Sequence, residues 1–201
     1  MPAAEERNRA AVDLIERVRS GDLTAFEEII RLHERRLLGM AVQMGLSPQD
    51  AQDATQEVFL RVFRYLPGFQ AGKSFDVWIW KIAVNVVYDT LRRRRDRGEI
   101  SWEALVEHGD ETAVRAGGLQ ISLENADLCR KLLDRMEVLS KQERMVFVLR
   151  ELQELETAEV ARAMGISTIT VRRHDASARH KLRKVLESIL SSPSSKKSRI
   201  E

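Results

Sequence analysis

"TAEVARAMGISTITVRRH", residues 157–174, is the stretch on which the reading of this chain turns. Ala161 is small where two helices would cross, and Gly165 stands at a turn, where positive φ is cheap for glycine. Ser167 is placed to cap a second helix, and Val160, Met164, Ile166 and Val171 supply apolar contacts between the pair. This is the spacing of a helix-turn-helix, whose second helix lies in the major groove with its first turns at the base edges. Arg172 and Arg173 project away from the Val171 stripe, where arginine takes guanine bidentately or grips phosphate. A plain helical hairpin with a solvated basic face has the same pattern, so the block alone does not decide function. Glu156, rather than Ser or Thr, precedes the first helix of the pair, and Thr157 is the alternative cap.

The basic helix continues through "TVRRHDASARHKLRK", residues 170–184, and raises a problem at Asp175. On a helical wheel Asp175 falls beside the stripe Val171, Ala178, Leu182 that should face the core. Arg172 and Arg179 stand three before and four after it, both within ion-pair reach. Arg144 or Arg150 of the preceding helices are equally open as partners.

The whole chain fits this helical reading. It has 201 residues, 43% apolar but only 5% aromatic and 32% charged, with few Gly and Pro. That balance favours an all-α protein of one ordinary or two small domains. Net charge is only +2, so partners are set by where the charge lies. A single cysteine, Cys129, excludes an internal disulfide and a multi-cysteine zinc site, and is expected to be a small buried residue. No apolar run approaches the roughly 18 residues of a membrane span, and "MPAAEERNRA" lacks the apolar core of a secretory signal. A cytoplasmic protein without membrane insertion is expected. The four histidines (His33, His108, His174, His180) are scattered, and no nucleophile–base pair or phosphate loop is visible, so no enzyme, cofactor or metal is expected.

Upstream, residues 10–20 read as a short amphipathic helix ended by Gly21. Thr24 with Glu27 reads as a capping box for a second helix with the stripe Phe26, Ile29, Ile30, His33, Leu37, Met40, Ala41. "GLSPQD" restarts the chain, with Ser47 as cap and Pro48 at the first helical position. The third helix buries Ala51, Ala54, Val58 and Val62 and stops at "LPG", residues 66–68; a fourth begins after Ser74. Residues 97–127 set seven acids (Glu99, Glu103, Glu107, Asp110, Glu111, Glu124, Asp127) against Arg97 and Arg115 and read as an acidic linker. A second helical block follows over about 128–190, with a capping box at Ser140 and Glu143, and the tail "SSPSSKKSRIE" reads as disordered.

Two surfaces of the first block carry chemistry. The fourth helix sets Trp78, Trp80 and Tyr88 near Lys81, Asn85 and the arginine run 92–95 plus Arg97, a combination suited to stacking and gripping single-stranded nucleic acid. A core helix whose basic end complements the helix dipole is the alternative. On the third helix, Gln52, Asp53, Gln56 and Glu57 lie beside Phe59 and Phe63; acids repel phosphate, so this reads as a protein-docking face or as plain solvated acids.

Three stretches in this order resemble the extracytoplasmic-function (group IV) sigma factors of the sigma-70 family. "DAQDATQEVFLRVF" (50–63) is similar to the segment that docks on the polymerase clamp helices, and "FDVWIWKIAVNVVYDTLRRRRD" (75–96) to the −10 melting helix. "LSKQERMVFVLRELQELETAEVARAMGISTITVRR" (139–173) is similar to the region that reads the −35 element. The resemblance covers about residues 10–187 and implies region 2 over 8–96, an acidic linker over 97–127, region 4 over 128–190 and a tail over 191–201. It implies that Gln52, Asp53, Gln56, Glu57, Phe59 and Phe63 meet the β′ subunit of core RNA polymerase. Phe69, Gln70, Lys73 and Ser74 would form a loop pocketing a flipped −10 base, with Trp80, Lys81, Asn85, Arg92 and Arg93 on the adjoining helix. Arg150, Thr168, Thr170, Arg172, Arg173, Ser177 and Arg179 would contact −35 DNA. The partners implied are core polymerase (β and β′), promoter DNA and an anti-sigma factor, and the linker would follow a basic channel otherwise used by RNA. The chain departs from the pattern at Asp175, usually aliphatic, and at His174 and Ser177, where arginines are common. A free-standing helix-turn-helix regulator and a helical interaction module are the competing readings.

Overall fold

The computed structural model describes residues 2–70, 72–96 and 135–191, with seven α-helices and no strand among them. The linker expected over 97–127, Cys129 and the tail beyond Ser191 lie outside the described residues. The first block holds α1 (Pro2–Arg19), α2 (Leu23–Gln43), α3 (Pro48–Tyr65) and α4 (Phe75–Asp96), with a 3₁₀ turn at Leu66–Gly68. The second holds a 3₁₀ turn at Arg135–Val138, then α5 (Lys141–Phe147), α6 (Thr157–Met164) and α7 (Thr168–Ser191).

Periodicity decides what these helices bury. Ile29, Leu37, Met40 and Ala41 of α2, with Ala51, Ala54, Val58 and Val62 of α3, are at most 3% exposed. His33, the one polar member of that stripe, is buried with its Nδ1 2.9 Å from the Ile29 carbonyl and its Nε2 3.2 Å from Asp76, so it ties α2 to the start of α4. No ion is needed to explain it.

The helix starts follow capping chemistry, with two corrections. Ser47 caps α3 by accepting the Asp50 N–H at 3.2 Å, with Pro48 in the first turn. α2, however, is opened by Asp22 rather than Thr24. The Asp22 carboxylate accepts the Thr24 N–H at 3.0 Å and is itself held by the Arg17 guanidinium at 2.7 Å. Hydrogen bonds from Thr24 and then Arg17 pull the Asp22 carboxyl down to about 2. α1 begins at Pro2, well before the expected residue 10. At α6 it is Glu156, not Thr157, that holds the N-cap position, its N–H donating to the Glu159 carboxylate at 2.8 Å.

The second block is assembled around the Ser140–Glu143 capping box. The Ser140 N–H donates to Glu143 Oε2 at 2.8 Å, and the Ser140 hydroxyl accepts the Glu143 N–H at 3.3 Å. The same buried carboxylate reaches α7, accepting from the Ser177 hydroxyl at 2.6 Å and Lys181 Nζ at 2.7 Å. One acid thus starts α5 and anchors α7. After α5 the chain makes a π turn over Val148–Leu152, closed by the Gln153 N–H on the Val148 carbonyl at 2.9 Å. Gly165 ends α6 with φ of 68°, in the left-handed region the turn requires. Ser167 caps α7 by accepting the Thr170 N–H at 3.1 Å.

The two blocks share one apolar core, with α4 packed against α3 on one side and against α6 on the other. Burial raises the Glu143 pKa, and the hydrogen bonds from Lys181, Ser177 and Ser140 outweigh it, leaving the carboxyl at about 2 against an ordinary 4.5. A folded-state pKa below the unfolded one adds stability above pH 4.5 that is lost as pH falls through 2. Glu143→Gln should therefore lower thermal stability at neutral pH and flatten the loss between pH 4.5 and 2, measured by thermal melting across that range.

Candidate docking and nucleic-acid surfaces

The sequence patterns converge on three surfaces, and the helices sort their residues into exposed and buried. Between α2 and α3 runs a groove of about 510 Å³. Gln52, Gln56, Phe59 and Phe63 line it from α3, together with Leu60 and, from α2, Phe26, Ile30 and Leu38. Leu60 is 63% and Phe63 47% exposed, unusual for side chains so apolar. Asp53 and Glu57 stand on the same helix, Glu57 paired with Arg61 at 2.6 Å. Phe59, expected as an exposed contact, is buried and forms the groove floor instead. Sequence reading missed Leu60, and placed Phe26 and Ile30 only in the core stripe, because nothing in a single helix's period shows where two helices diverge.

The loop and helix around α4 divide differently. Gln70, Lys73, Lys81, Asn85, Arg92 and Arg93 are exposed, and Ser74 starts the helix by accepting the Val77 N–H at 3.4 Å. Phe69 and Trp80 are buried, so Trp80 is not the surface stacking face it was expected to be, and Phe69 lies beneath the loop rather than on its surface. Phe69 packs within 5.1 Å of Trp78 and 5.6 Å of Phe75, forming an aromatic base under the loop. Arg19 holds that loop from α1, its guanidinium donating to the carbonyls of Leu66 at 3.1 Å, Pro67 at 3.2 Å and Phe69. This clamp joins positions about fifty apart in sequence and has no local signature.

The arginine run is not one uniform patch. Arg94 is largely buried and pairs with Asp50 at 3.0 Å, tying the end of α4 to the start of α3. Arg92 leans on Asp89 at 3.3 Å and Arg95 on Asp96 at 3.7 Å. Exposed pairs of this kind are worth roughly 0–1 kcal/mol, so Arg92 is easily lent to a phosphate while Arg94 is committed to the fold.

On α7, Thr168, Arg172 and Arg173 are exposed at the first turns, and neither arginine has an ion pair among the described residues. Thr170 is turned toward the cap, its Oγ1 2.9 Å from the Ser167 hydroxyl. Ser177 is engaged by Glu143 and Arg179 by Glu151 at 2.5 Å. Arg150 donates to the Leu155 carbonyl at 3.0 Å, bracing the turn into α6. Of the residues expected at −35 DNA, these three are occupied inside the block, because Glu143 of α5, Glu151 of the π turn and the Leu155 carbonyl before α6 lie across from them. The partner of Asp175 is Arg179, at 3.2 Å; its second oxygen, Oδ1, is buried without a hydrogen bond.

Residues 29–97 match Sigma-70 region 2, and residues 129–182 match Sigma-70, region 4. The chain belongs to the extracytoplasmic-function group of the sigma-70 family. The ECF RNA polymerase sigma factor SigE of Mycolicibacterium smegmatis is 30% identical over 82% of this chain, which spans 62% of that relative. The RNA polymerase sigma-H factor of Pseudomonas aeruginosa is 27% identical over 88% of this chain and 94% of its own length. Among solved structures, CnrH in complex with the cytosolic domain of CnrY superposes with a TM-score of 0.68 at 23% identity, covering 89% of this chain and 98% of that one. The sigma factor RpoE in complex with the anti-sigma factor NepR from Bartonella quintana gives 0.61 at 19% identity, over 81% of this chain and 96% of that one. No helix among the described residues is long and apolar enough to cross a membrane.

Asp175 sets up a test of the inner edge of α7. Replacing it forfeits a pair whose arginine is half exposed, about 0–1 kcal/mol, and removes a buried oxygen left without a partner, which costs about 1–3 kcal/mol. Asp175→Leu should raise the stability of the full chain by about 1 kcal/mol, read from denaturant melts, since Glu151 still holds Arg179. A fall in stability would show the carboxylate to be fully satisfied.

Proposed function

We propose that this chain directs core RNA polymerase to promoters through three separate surfaces: the α2–α3 groove, α4 with the loop before it, and the start of α7. The observation that carries this is the α2–α3 groove. An exposed apolar channel flanked by Asp53 and Glu57 suits a protein partner and repels phosphate. A free-standing DNA-binding regulator has no use for it.

The groove receives the clamp of the β′ subunit, with Leu60 and Phe63 as the buried anchors and Gln52, Gln56, Asp53 and Glu57 as the polar rim. On the α4 side, Gln70, Lys73 and Ser74 offer hydrogen bonds to an unpaired −10 base, while Lys81, Asn85, Arg92 and Arg93 track the strand. Strand opening is then driven by binding energy, with no covalent step, and the chain acts as a specificity subunit rather than an enzyme. On α7, Arg172, Arg173 and Thr168 read the −35 duplex from the major groove. Ser177 and Arg179 anchor that helix to Glu143 and Glu151, and Arg150 braces the turn into α6. Residues 8–96 form the docking and −10 domain, 97–127 an acidic connector toward the β subunit and the RNA path, and 128–190 the −35 domain. The protein works in the cytoplasm with polymerase. An anti-sigma factor as inhibitor follows by analogy with the complexes of CnrH with CnrY and of RpoE with NepR.

Two measurements test the assignment. Asp53→Arg combined with Glu57→Arg should abolish co-purification with core polymerase while leaving the chain folded; undiminished affinity would reject the docking face. Lys81→Ala with Asn85→Ala should leave polymerase binding intact but weaken open-complex formation, seen as reduced permanganate reactivity of −10 thymines.

A further inference from the structure

The loop that leads into α4 is held at its two ends by different means. Its downstream half follows local rules. Gly72 takes φ of 94°, a left-handed turn suited to glycine, the Lys73 N–H donates to the Gln70 carbonyl at 3.3 Å, and Ser74 caps the helix. Upstream, the Phe69 N–H closes the 3₁₀ turn on the Leu66 carbonyl at 3.0 Å. Arg19 of α1 completes this end: one guanidinium nitrogen, Nη2, donates to the carbonyls of Leu66, Pro67 and Phe69. Phe69 immediately precedes Gln70, so this contact fixes the point from which the exposed part of the loop departs.

Charge explains why an arginine stands there. Two helix ends meet, because α1 stops at Arg19 and touches the 3₁₀ turn in which α3 runs out at Gly68. The C-terminal end of a helix carries partial negative charge and leaves carbonyls over, so two such ends repel and a cation reaching from one to the other answers both. Arg19 is aimed from a fixed platform. Across the turn into α2 the Asp22 N–H donates to the Arg17 carbonyl at 3.0 Å, and the Arg17 guanidinium holds the Asp22 carboxylate at 2.7 Å. The Phe69 ring is meanwhile seated on Phe75 and Trp78. Side chain and carbonyl of one residue are thus tied down separately, by α4 and by α1.

We propose that Arg19 is a positioning residue for −10 recognition: it touches no base, and it sets where Gln70, Lys73 and Ser74 stand when an unpaired base arrives. This rests on the −10 assignment above and adds to it the residue that fixes the loop. A loop fixed beforehand loses no binding free energy to ordering, and it discriminates because its donors cannot follow a wrong base. Freed at Phe69, the same loop adapts to any base. The loss therefore falls on selectivity and spares general affinity for DNA. A phosphate contact at Arg19 would do the reverse, weakening all sequences alike and lowering the salt slope by about one.

The test is transcription by the full chain with core RNA polymerase on a promoter library randomised at the −10 and −35 elements. A specified base pair is ordinarily preferred roughly 5- to 150-fold. In Arg19→Gln the −10 preference should fall several-fold, while the −35 preference and the salt dependence stay as in the wild type. Amide exchange in the full chain should quicken at Phe69, Gln70 and Lys73 and stay unchanged along α7. Arg19→Lys, which keeps charge and donors on a shorter stem, should fall between the two. It decides if Arg19→Gln does not fold, a wild-type −10 preference then overturning the proposal. An unaltered −10 preference in Arg19→Gln overturns it, as does equal widening at −35 or uniform weakening with a lower salt slope. A wild-type chain without any −10 preference overturns the −10 assignment and the positioning role with it, while amide exchange still reads whether Arg19 holds the loop.

Discussion

The width of the buried surface on α4 is the constraint from which the architecture follows. A helix with one apolar stripe needs one neighbour, and α4 has two stripes. α3 and α1 cover part of that surface, and Arg36 of α2 lies over the Trp80 ring, while a large apolar side chain left fully exposed forfeits roughly 1.5–3 kcal/mol. α6 supplies further cover. The price is that a surface suited to unpaired DNA and one suited to duplex DNA are brought side by side. The position of α6 depends in turn on the turn at Gly165 and on α7, which Glu143 fixes to the start of α5.

Much of this was legible in the sequence, and the legible parts are those governed by local rules. The apolar periods of α2 and α3, the Ser47–Pro48 start, the Ser140–Glu143 box and the left-handed Gly165 all depend on neighbours within a few residues. What escaped depends on distant parts of the chain. Thr24 and Glu27 satisfy the capping pattern, yet Asp22 takes the position because Arg17, on the preceding helix, holds its carboxylate in place. Trp80 and Phe59 have the composition of contact residues, but their burial is decided by which helices lie across from them.

The candidate sites were legible to the same degree. Residue type and spacing located the surfaces, but could not show which charged groups are already spent. Arg94 belongs to Asp50, Arg179 to Glu151 and Asp175, and Ser177 and Lys181 to Glu143. A run of basic residues in a sequence is therefore an upper bound on the charge offered to DNA. The acid that interrupts α7 serves the inner face of the helix and leaves Arg172 and Arg173 clear on the outer one.

The π turn at Val148–Leu152 bears on how chains of this kind can change length over evolutionary time. Such a turn holds one more residue than an α-helical turn, and here it follows α5 directly and ends in the loop that leads to α6. Losing a single residue there would convert the segment to an ordinary α-helical turn without rotating α5. An insertion or deletion elsewhere in a helix turns every later side chain by about 100°. Here it is absorbed, and single-residue gaps between homologous sequences are to be sought at this turn before any other part of the second block.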